Sequence, residues 1–131
     1  MFGGAFGPHI RFEAGDENSG RFTMNFTLEV VSAEPGRTLR EHARSVIYGW
    51  RRNPGVTIVG SDFVRLPGGR AWRFRVTMYH VANDGDTVSR LQFHFLRRKR
   101  LYIFTYQIVV SLEARYAWAF ERSARSIRLA A

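Results

Sequence analysis

The chain has 131 residues, which suffice for one compact domain with its own core and leave no room for a second of ordinary size. Hydrophobic residues make up 45% of it and charged residues 24%, a balance that excludes a disordered, collagen-like or coiled-coil chain. The absence of cysteine excludes disulfides, thiol nucleophiles and cysteine-ligated metals, and the formal net charge of +9 favours an acidic partner.

Residues 1–8 are rich in glycine, and we expect a flexible arm there, followed by a single domain over 9–131. The arm has neither the basic region nor the apolar stretch of a signal peptide. No apolar run in the chain approaches the roughly 20 residues that a membrane-spanning helix needs. We therefore predict a cytoplasmic protein.

The first half of the domain predicts two strands and a helix. Alternating apolar and polar residues over 21–30 indicate a half-buried strand, and residues 9–13 predict a shorter strand that pairs with it through a turn at 15–20. Thr38 and Glu41 have the spacing of a capping box, so a helix is expected to begin there. One face of this helix is apolar, and the other carries Arg37, Arg40, Arg44 and Arg51.

The second half predicts four strands and a second helix, and the fold class is α+β. The strands are expected over 56–66, 70–81, 87–97 and 101–110, joined by tight turns into an antiparallel meander. The last strand is apolar on both faces, which is typical of a covered central strand or of one that exposes an apolar stripe. The helix is predicted over 112–128 with Ser111 as its N-cap, and Trp118, outside its apolar stripe, is either a lid or a binding anchor.

Basic residues gather in two places in the meander. Arg73 and Arg75 fall on the polar face of their strand, and a run at 97–100 occupies an expected hairpin turn. The run is either a solvated turn that discourages pairing of sheet edges, or a contact for phosphate or an acidic partner. The candidate basic face comprises Arg73, Arg75, Arg97, Arg98, Lys99 and Arg100.

Little in the sequence indicates catalysis. The four histidines lie on different predicted elements or out of register, so we expect no metal site; with a hairpin centred near 84–85, His94 is expected opposite Arg75. The cluster at 83–86 predicts a hairpin turn, since it lacks the spacing of a calcium loop. The carboxylates are scattered, and no phosphate-cradling or RNA-binding motif occurs. We expect a protein that is not an enzyme, with no cofactor, metal or small-molecule substrate.

Four segments of the second half carry a family resemblance: LPGGRAWRF at 66–74, LQFHFL at 91–96, LYIFTY at 101–106 and FERSARSIRL at 120–129. In this order, and with a looser match over 24–50, the chain resembles the DcrB-related family, which is similar in fold to the photosystem accessory protein PsbP. The resemblance implies a strongly curved antiparallel sheet flanked by two main helices, without cofactor or catalytic residues.

The resemblance also implies a protein-binding role. Cytoplasmic members include the EagR-type adaptors of type VI secretion, which look like dimers whose concave apolar sheet grips hydrophobic helices of a secreted effector. Here that role would fall to apolar side chains that otherwise belong to the core: Trp72, Phe93, Phe95, Phe104, Tyr106 and Ile108. On this hypothesis, Phe104→Asp abolishes partner binding and leaves the domain folded.

Three functions therefore stay open. The first is an adaptor or chaperone for a hydrophobic segment of a protein partner, acting as a homodimer if the resemblance extends so far. The second is an accessory subunit that docks on an acidic surface of a larger assembly through its basic face and N-terminal arm. The third is a nucleic-acid binder. Binding that survives salt favours the first, and affinity that falls steeply with salt favours the others.

Overall fold

The computed structural model describes residues 9–14, 24–80 and 86–129. The elements in chain order are β1 (His9–Ala14), β2 (Met24–Ser32), α1 (Leu39–Arg51), β3 (Val56–Leu66), β4 (Gly69–His80), β5 (Asp86–Arg97), β6 (Arg100–Val109) and α2 (Val110–Arg125). The predicted strands and helices thus form close to where the sequence pattern places them. The predicted arm at 1–8, the turn at 15–20 and residues 83–85 of the second turn lie outside the described residues.

All six strands form one antiparallel sheet in the order β1-β2-β6-β5-β4-β3. Strands β3 to β6 are the predicted meander, and β2 adds to its far side by pairing with β6, with Met24 opposite Ile108. Strand β6 therefore lies inside the sheet, which confirms the inference from its two apolar faces that it is a central strand.

Helix α1 begins at the predicted capping box. The backbone N–H of Glu41 donates to Thr38 Oγ1 over 3.1 Å, and the backbone N–H of Thr38 donates to Glu41 Oε1 over 2.9 Å. Each side chain thus satisfies a backbone donor that the first helical turn leaves without a partner. The helix ends at Arg51, with Arg52 as its C-cap.

The two helices cover opposite faces of the sheet. Helix α1 packs its predicted apolar face, with Ala43 at the centre, on β3 and β4, where Trp72, Phe74 and Val76 are buried. Helix α2 lies on the other face, over β5 and β6, and residues 120–129 pack there on the buried side chains of Phe93, Phe95, Phe104 and Tyr106. The predicted α+β class, an antiparallel sheet flanked by two helices, is confirmed.

The predicted start of the second helix is wrong by two residues. Strand β6 continues into α2 at Val110 without a loop, and the N-cap is Val109, whose side chain makes no capping hydrogen bond. Ser111 is therefore a residue of the first turn. A serine hydroxyl before an apolar run is a plausible N-cap. Here, however, β6 ends at Val109 and α2 begins at the next residue, so Ser111 is already helical.

No helix in the described parts of the chain is long and apolar enough to cross a membrane.

Candidate functional site

The six apolar candidates do not lie on one face. Trp72 is opposite His94 on the face that α1 covers, whereas Phe93 is opposite Phe104 on the face that α2 covers. The prediction that all six line a single apolar surface is wrong. All of them are buried in this structure, with relative exposures from 0 to 8%. Partner contact through these side chains stays a prediction, and it would require a covering helix to leave the sheet.

Aromatic packing holds α2 on its face of the sheet. The rings of Tyr106 and Phe120 lie 5.1 Å apart between centroids, and those of Phe26 and Tyr106 lie 5.0 Å apart. The Tyr106 hydroxyl donates to Ser123 Oγ over 2.7 Å, so its polar end is satisfied as well. Burial raises the pKa of Tyr106, and the hydrogen bond to Ser123 opposes that shift.

The six basic candidates also fall into two separate groups. Arg73 and Arg75 lie in the middle of β4 and are ion-paired, with Asp62 and Glu113 respectively. Residues 97–100 form the tip of the β5–β6 hairpin, where Arg98 has a φ of 58°. The hairpin turn is confirmed. Within the predicted basic face, Arg73 and Arg75 are paired with neighbouring carboxylates, and contact of the six residues with an acidic partner stays a prediction.

A cleft of about 740 Å³ opens where the sheet extends past α2. Helix α2 packs on β5 and β6 and leaves the same face of β3 and β4 uncovered. This uncovered part of the sheet forms the floor of the cleft. The lining comes from four elements: residues 59–62 of β3, Arg73 and Arg75 of β4, Leu91 of β5, and Glu113, Ala114, Ala117, Phe120 and Glu121 of α2. Apolar and charged groups therefore share one cleft.

A β-bulge shapes the outer wall of this cleft. The register between β3 and β4 shifts between Ile58 and Gly60, and the extra residue, Val59, is 49% exposed. Because β3 is an edge strand, the bulge also interrupts the regular row of backbone groups that another strand could pair with.

Charged side chains fix the floor to both walls. Arg73 donates from Nε and Nη2 to the two carboxylate oxygens of Asp62, over 3.0 and 2.7 Å, and this bond raises the pKa of Arg73. Arg75 pairs with Glu113 in the first turn of α2 and donates from Nε to the hydroxyl of Ser89 over 3.2 Å. The same hydroxyl donates to Glu113 Oε2 over 2.5 Å. These bonds join α2 to β4 and β5.

On the opposite face, under α1, lies a chain of hydrogen bonds that the sequence pattern does not predict. His42 Nε2 lies 3.0 Å from His94 Nδ1, His94 Nε2 lies 2.8 Å from Gln92 Oε1, and Gln92 Nε2 donates to Thr105 Oγ1 over 3.1 Å. Burial, together with a smaller effect of the neighbouring His42, lowers the pKa of His94 to about 3; burial also lowers the pKa of His42. Alternation marks His94 as a residue of the polar face, but nothing local indicates its partner on the helix.

Among the described residues, no group of three or more histidine, aspartate or glutamate side chains is placed to hold a metal ion.

No protein-family model matches the chain, and no curated protein matches it. Solved structures resemble it closely in fold. The crystal structure of PA94, a protein of unknown function from Pseudomonas aeruginosa, has a TM-score of 0.78 at 11% identity and covers 95% of this chain and 84% of that one. The solution structure of cyanobacterial PsbP (CyanoP) from Synechocystis sp. PCC 6803 has a TM-score of 0.57 at 11% identity and covers 88% and 79%.

A third structure, the Ran-binding protein Mog1p of Saccharomyces cerevisiae, has a TM-score of 0.48 at 12% identity over 82% of this chain and 62% of that one, which is too low to bear on function. At such identities the likenesses show the fold alone. The protein therefore has a PsbP-like α+β fold, as the sequence resemblance implies. Membership of the DcrB-related family stays a prediction.

Proposed function

We propose that this protein is a non-enzymatic protein-binding module and that the cleft between α2 and the β3–β4 pair receives a segment of its partner. The observation that carries the proposal is the cleft itself: a stretch of sheet that the chain's own helix leaves uncovered, with apolar side chains at its base and ion pairs along its floor. A surface of this kind suits a segment with one apolar and one polar side.

An amphipathic helix is the occupant that the lining favours. Ala114 and Ala117 present only methyl groups on this flank of α2, so a second helix could approach the backbone closely. Leu91 and Phe120 supply apolar contacts at the base. The ion-paired Arg73 and Asp62 lie where the polar side of the segment would fall.

The exposed apolar residues near the cleft extend this surface. Trp118 is 63% exposed and lies one helical turn after Ala114, on the same flank of α2. Val59 is exposed on the opposite wall. Large aromatic side chains at such positions are frequent anchors in protein interfaces, which supports the binding-anchor alternative for Trp118.

The narrower role proposed here, that of an adaptor for a hydrophobic segment of a secreted effector, rests on the resemblance to the DcrB-related family. In that role the effector segment would bind in the cleft beside α2 and not on the buried aromatic side chains that the resemblance implies. Helix α2 can then stay on the sheet, and the aromatic side chains beneath it keep their place in the core.

The test compares capture from a native lysate by three proteins: the wild type, Ala117→Arg and Ser45→Arg. Both variants place an arginine at an exposed helix position, but only Ala117 lines the cleft. We expect the wild type and Ser45→Arg to retain the same protein at about 0.15 and 0.5 M salt, and Ala117→Arg to lose it. Equal retention by all three proteins would contradict the assignment of the cleft.

A second candidate function is docking on an acidic surface through α1. Arg40, Arg44 and Arg51 lie along the exposed side of this helix next to β3, and in the part of the chain that the structure describes none of them forms an ion pair. Loss of all bound protein at the higher salt, in the wild type as well as the variants, would favour this function. Copurified nucleic acid would favour the third hypothesis.

A further inference from the structure

A second cleft, of about 450 Å³, lies between the β3–β4 turn and the segment that follows α2. The turn at 67–69 forms one wall and residues Arg128 and Leu129 form the other. The end of β5 closes the base with residues 95–97. This cleft is distinct from the one described above, since the two share no lining residue.

The charge contributed by the described residues of its lining is positive. Arg97 and Arg128 line the cleft with their charges, and among the described residues no aspartate or glutamate lines it. Arg70 also borders the cleft, but its guanidinium lies 4.8 Å over the ring of Phe63, in the cluster under α1. Neither Arg97 nor Arg128 is in an ion pair within the described ranges. Like charges gathered without a carboxylate repel one another, and an anion between them removes that repulsion.

The guanidinium groups keep donors for such an anion. Arg97 Nη1 donates to the Leu129 carbonyl over 3.4 Å, and Arg128 Nη1 donates to the carbonyls of Arg125 and Ile127 over 3.0 and 2.9 Å. These bonds orient the two side chains through one nitrogen each. A guanidinium has five N–H donors, so most of them stay available, and bonds to neutral carbonyls leave the charge in place.

Close backbone packing holds the two walls together. A Cβ atom on Gly68 would lie 2.6 Å from the Ile127 carbonyl oxygen, so the turn approaches the segment after α2 as only glycine permits. Gly69, with a φ of 129°, completes the turn. Arg128 therefore extends from a wall whose distance from the turn is fixed by direct backbone contact, and Arg97 extends from the base between the two walls.

We propose that this cleft binds a small molecule carrying phosphate groups. A guanidinium fork matches two phosphate oxygens, and the double charge of a phosphate suits the two cations Arg97 and Arg128 better than a single carboxylate does. The volume lies in the range of small-molecule sites, and the partly exposed Leu96 and Leu129 offer apolar contact to an organic group. This site is independent of the proposed partner cleft.

The test is a titration of the full chain with inorganic pyrophosphate, followed by the amide NMR signals of Gly68, Gly69 and Leu129. We expect saturable shifts of these signals in the wild type. Binding should weaken at least tenfold in the double variant Arg97→Gln/Arg128→Gln. The double variant Arg44→Gln/Arg51→Gln removes the same charge from α1 and should bind as the wild type does.

Three results would overturn the proposal. They are the absence of saturable shifts, equal weakening in the α1 control, and citrate binding as tightly as pyrophosphate, which would show a preference for carboxylates. If the double variant fails to fold, Arg128→Gln alone replaces it, because the exposed Arg128 contacts only carbonyls of its own segment.

Discussion

His42 on α1 and His94 on β5 share a hydrogen bond of 3.0 Å between Nε2 and Nδ1. The direction of this bond follows from its neighbours. Gln92 donates its amide N–H to Thr105, so its oxygen faces His94 and accepts from Nε2–H. His94 Nδ1 then carries the lone pair, and His42 is the donor. The pair thus joins α1 to the sheet in one defined pair of tautomers.

This pair makes stability depend on pH. The pKa of His94 is about 3 in the folded protein and near 6.5 in the unfolded chain, so between these values the unfolded chain binds a proton that the folded one excludes. The free energy of unfolding should therefore be highest above about pH 6.5 and fall toward pH 3, by up to about 1.4 kcal/mol per pH unit for this group. Urea unfolding at a series of pH values measures the slope.

His94→Gln separates this contribution from the titration of the carboxylates. Glutamine can still hydrogen-bond to His42 and Gln92 but does not titrate, so the variant should show a shallower slope between pH 6.5 and 3. An unchanged slope would mean that His94 does not exclude a proton in the folded state.

Phe104→Asp tests whether the aromatic face belongs to the core. Phe104 is 8% exposed and packs on Phe26 and Phe95, so a carboxylate there would be buried without a partner. With the side chain in the core, we expect the variant to lose more than about 4 kcal/mol of unfolding free energy and to be largely unfolded. Circular dichroism and urea unfolding measure this. A folded variant that has lost its partner would instead support the sequence-based hypothesis.

Glu113→Gln tests the link between α2 and the sheet. The change removes the charge that pairs with Arg75 and weakens the bond from Ser89, whose side chain is buried. Allowing for the partial exposure of the pair, we expect a loss of about 1–2 kcal/mol in urea unfolding. Glu121→Gln, which removes the exposed pair with Arg125 and a weaker attraction to Arg73, should cost less than about 0.5 kcal/mol. Equal effects would argue against a structural role for the network.

Gly68→Ala tests the contact between the β3–β4 turn and the segment after α2. The added methyl group would meet the Ile127 carbonyl at 2.6 Å, and the backbone on both sides must shift, at a cost of about 1–3 kcal/mol in the free energy of unfolding. Gly49→Ala is the matched control, because its Cβ would meet nothing within 4 Å and alanine favours the helix. A neutral Gly68→Ala would show that the turn is not held against Ile127.

Local patterns predicted the elements of the fold, and tertiary register accounts for the main error. The capping box at Thr38, the alternation along β2 and the glycine turn before β4 each depend on neighbours in the chain, so they could be located from sequence. The register of β4 with β5 depends on a longer connection. His80 is opposite Asp86, which centres the hairpin near residue 83 rather than near 84–85.

This difference accounts for the incorrect apolar face. With the expected register His94 is opposite Arg75, but it lies opposite Trp72, three residues away. Side chains alternate between the two faces of a strand. A register shift by an odd number of residues therefore places each side chain of β5 on the same face as the other set of β4 side chains. Trp72 therefore falls under α1, and Phe93 falls under α2. The clefts could not be foreseen either, because they depend on where α2 lies across the sheet.

The most direct test of the partner cleft is photo-crosslinking in a native lysate. A benzophenone side chain at Val59, on the exposed lip of the cleft, is compared with one at Tyr48 on α1, which is more exposed, at 67% against 49%. We predict one discrete protein adduct at position 59 that persists at about 0.5 M salt, and none at position 48. An adduct at position 48 with none at position 59 would contradict the cleft and place the partner on the arginine side of α1.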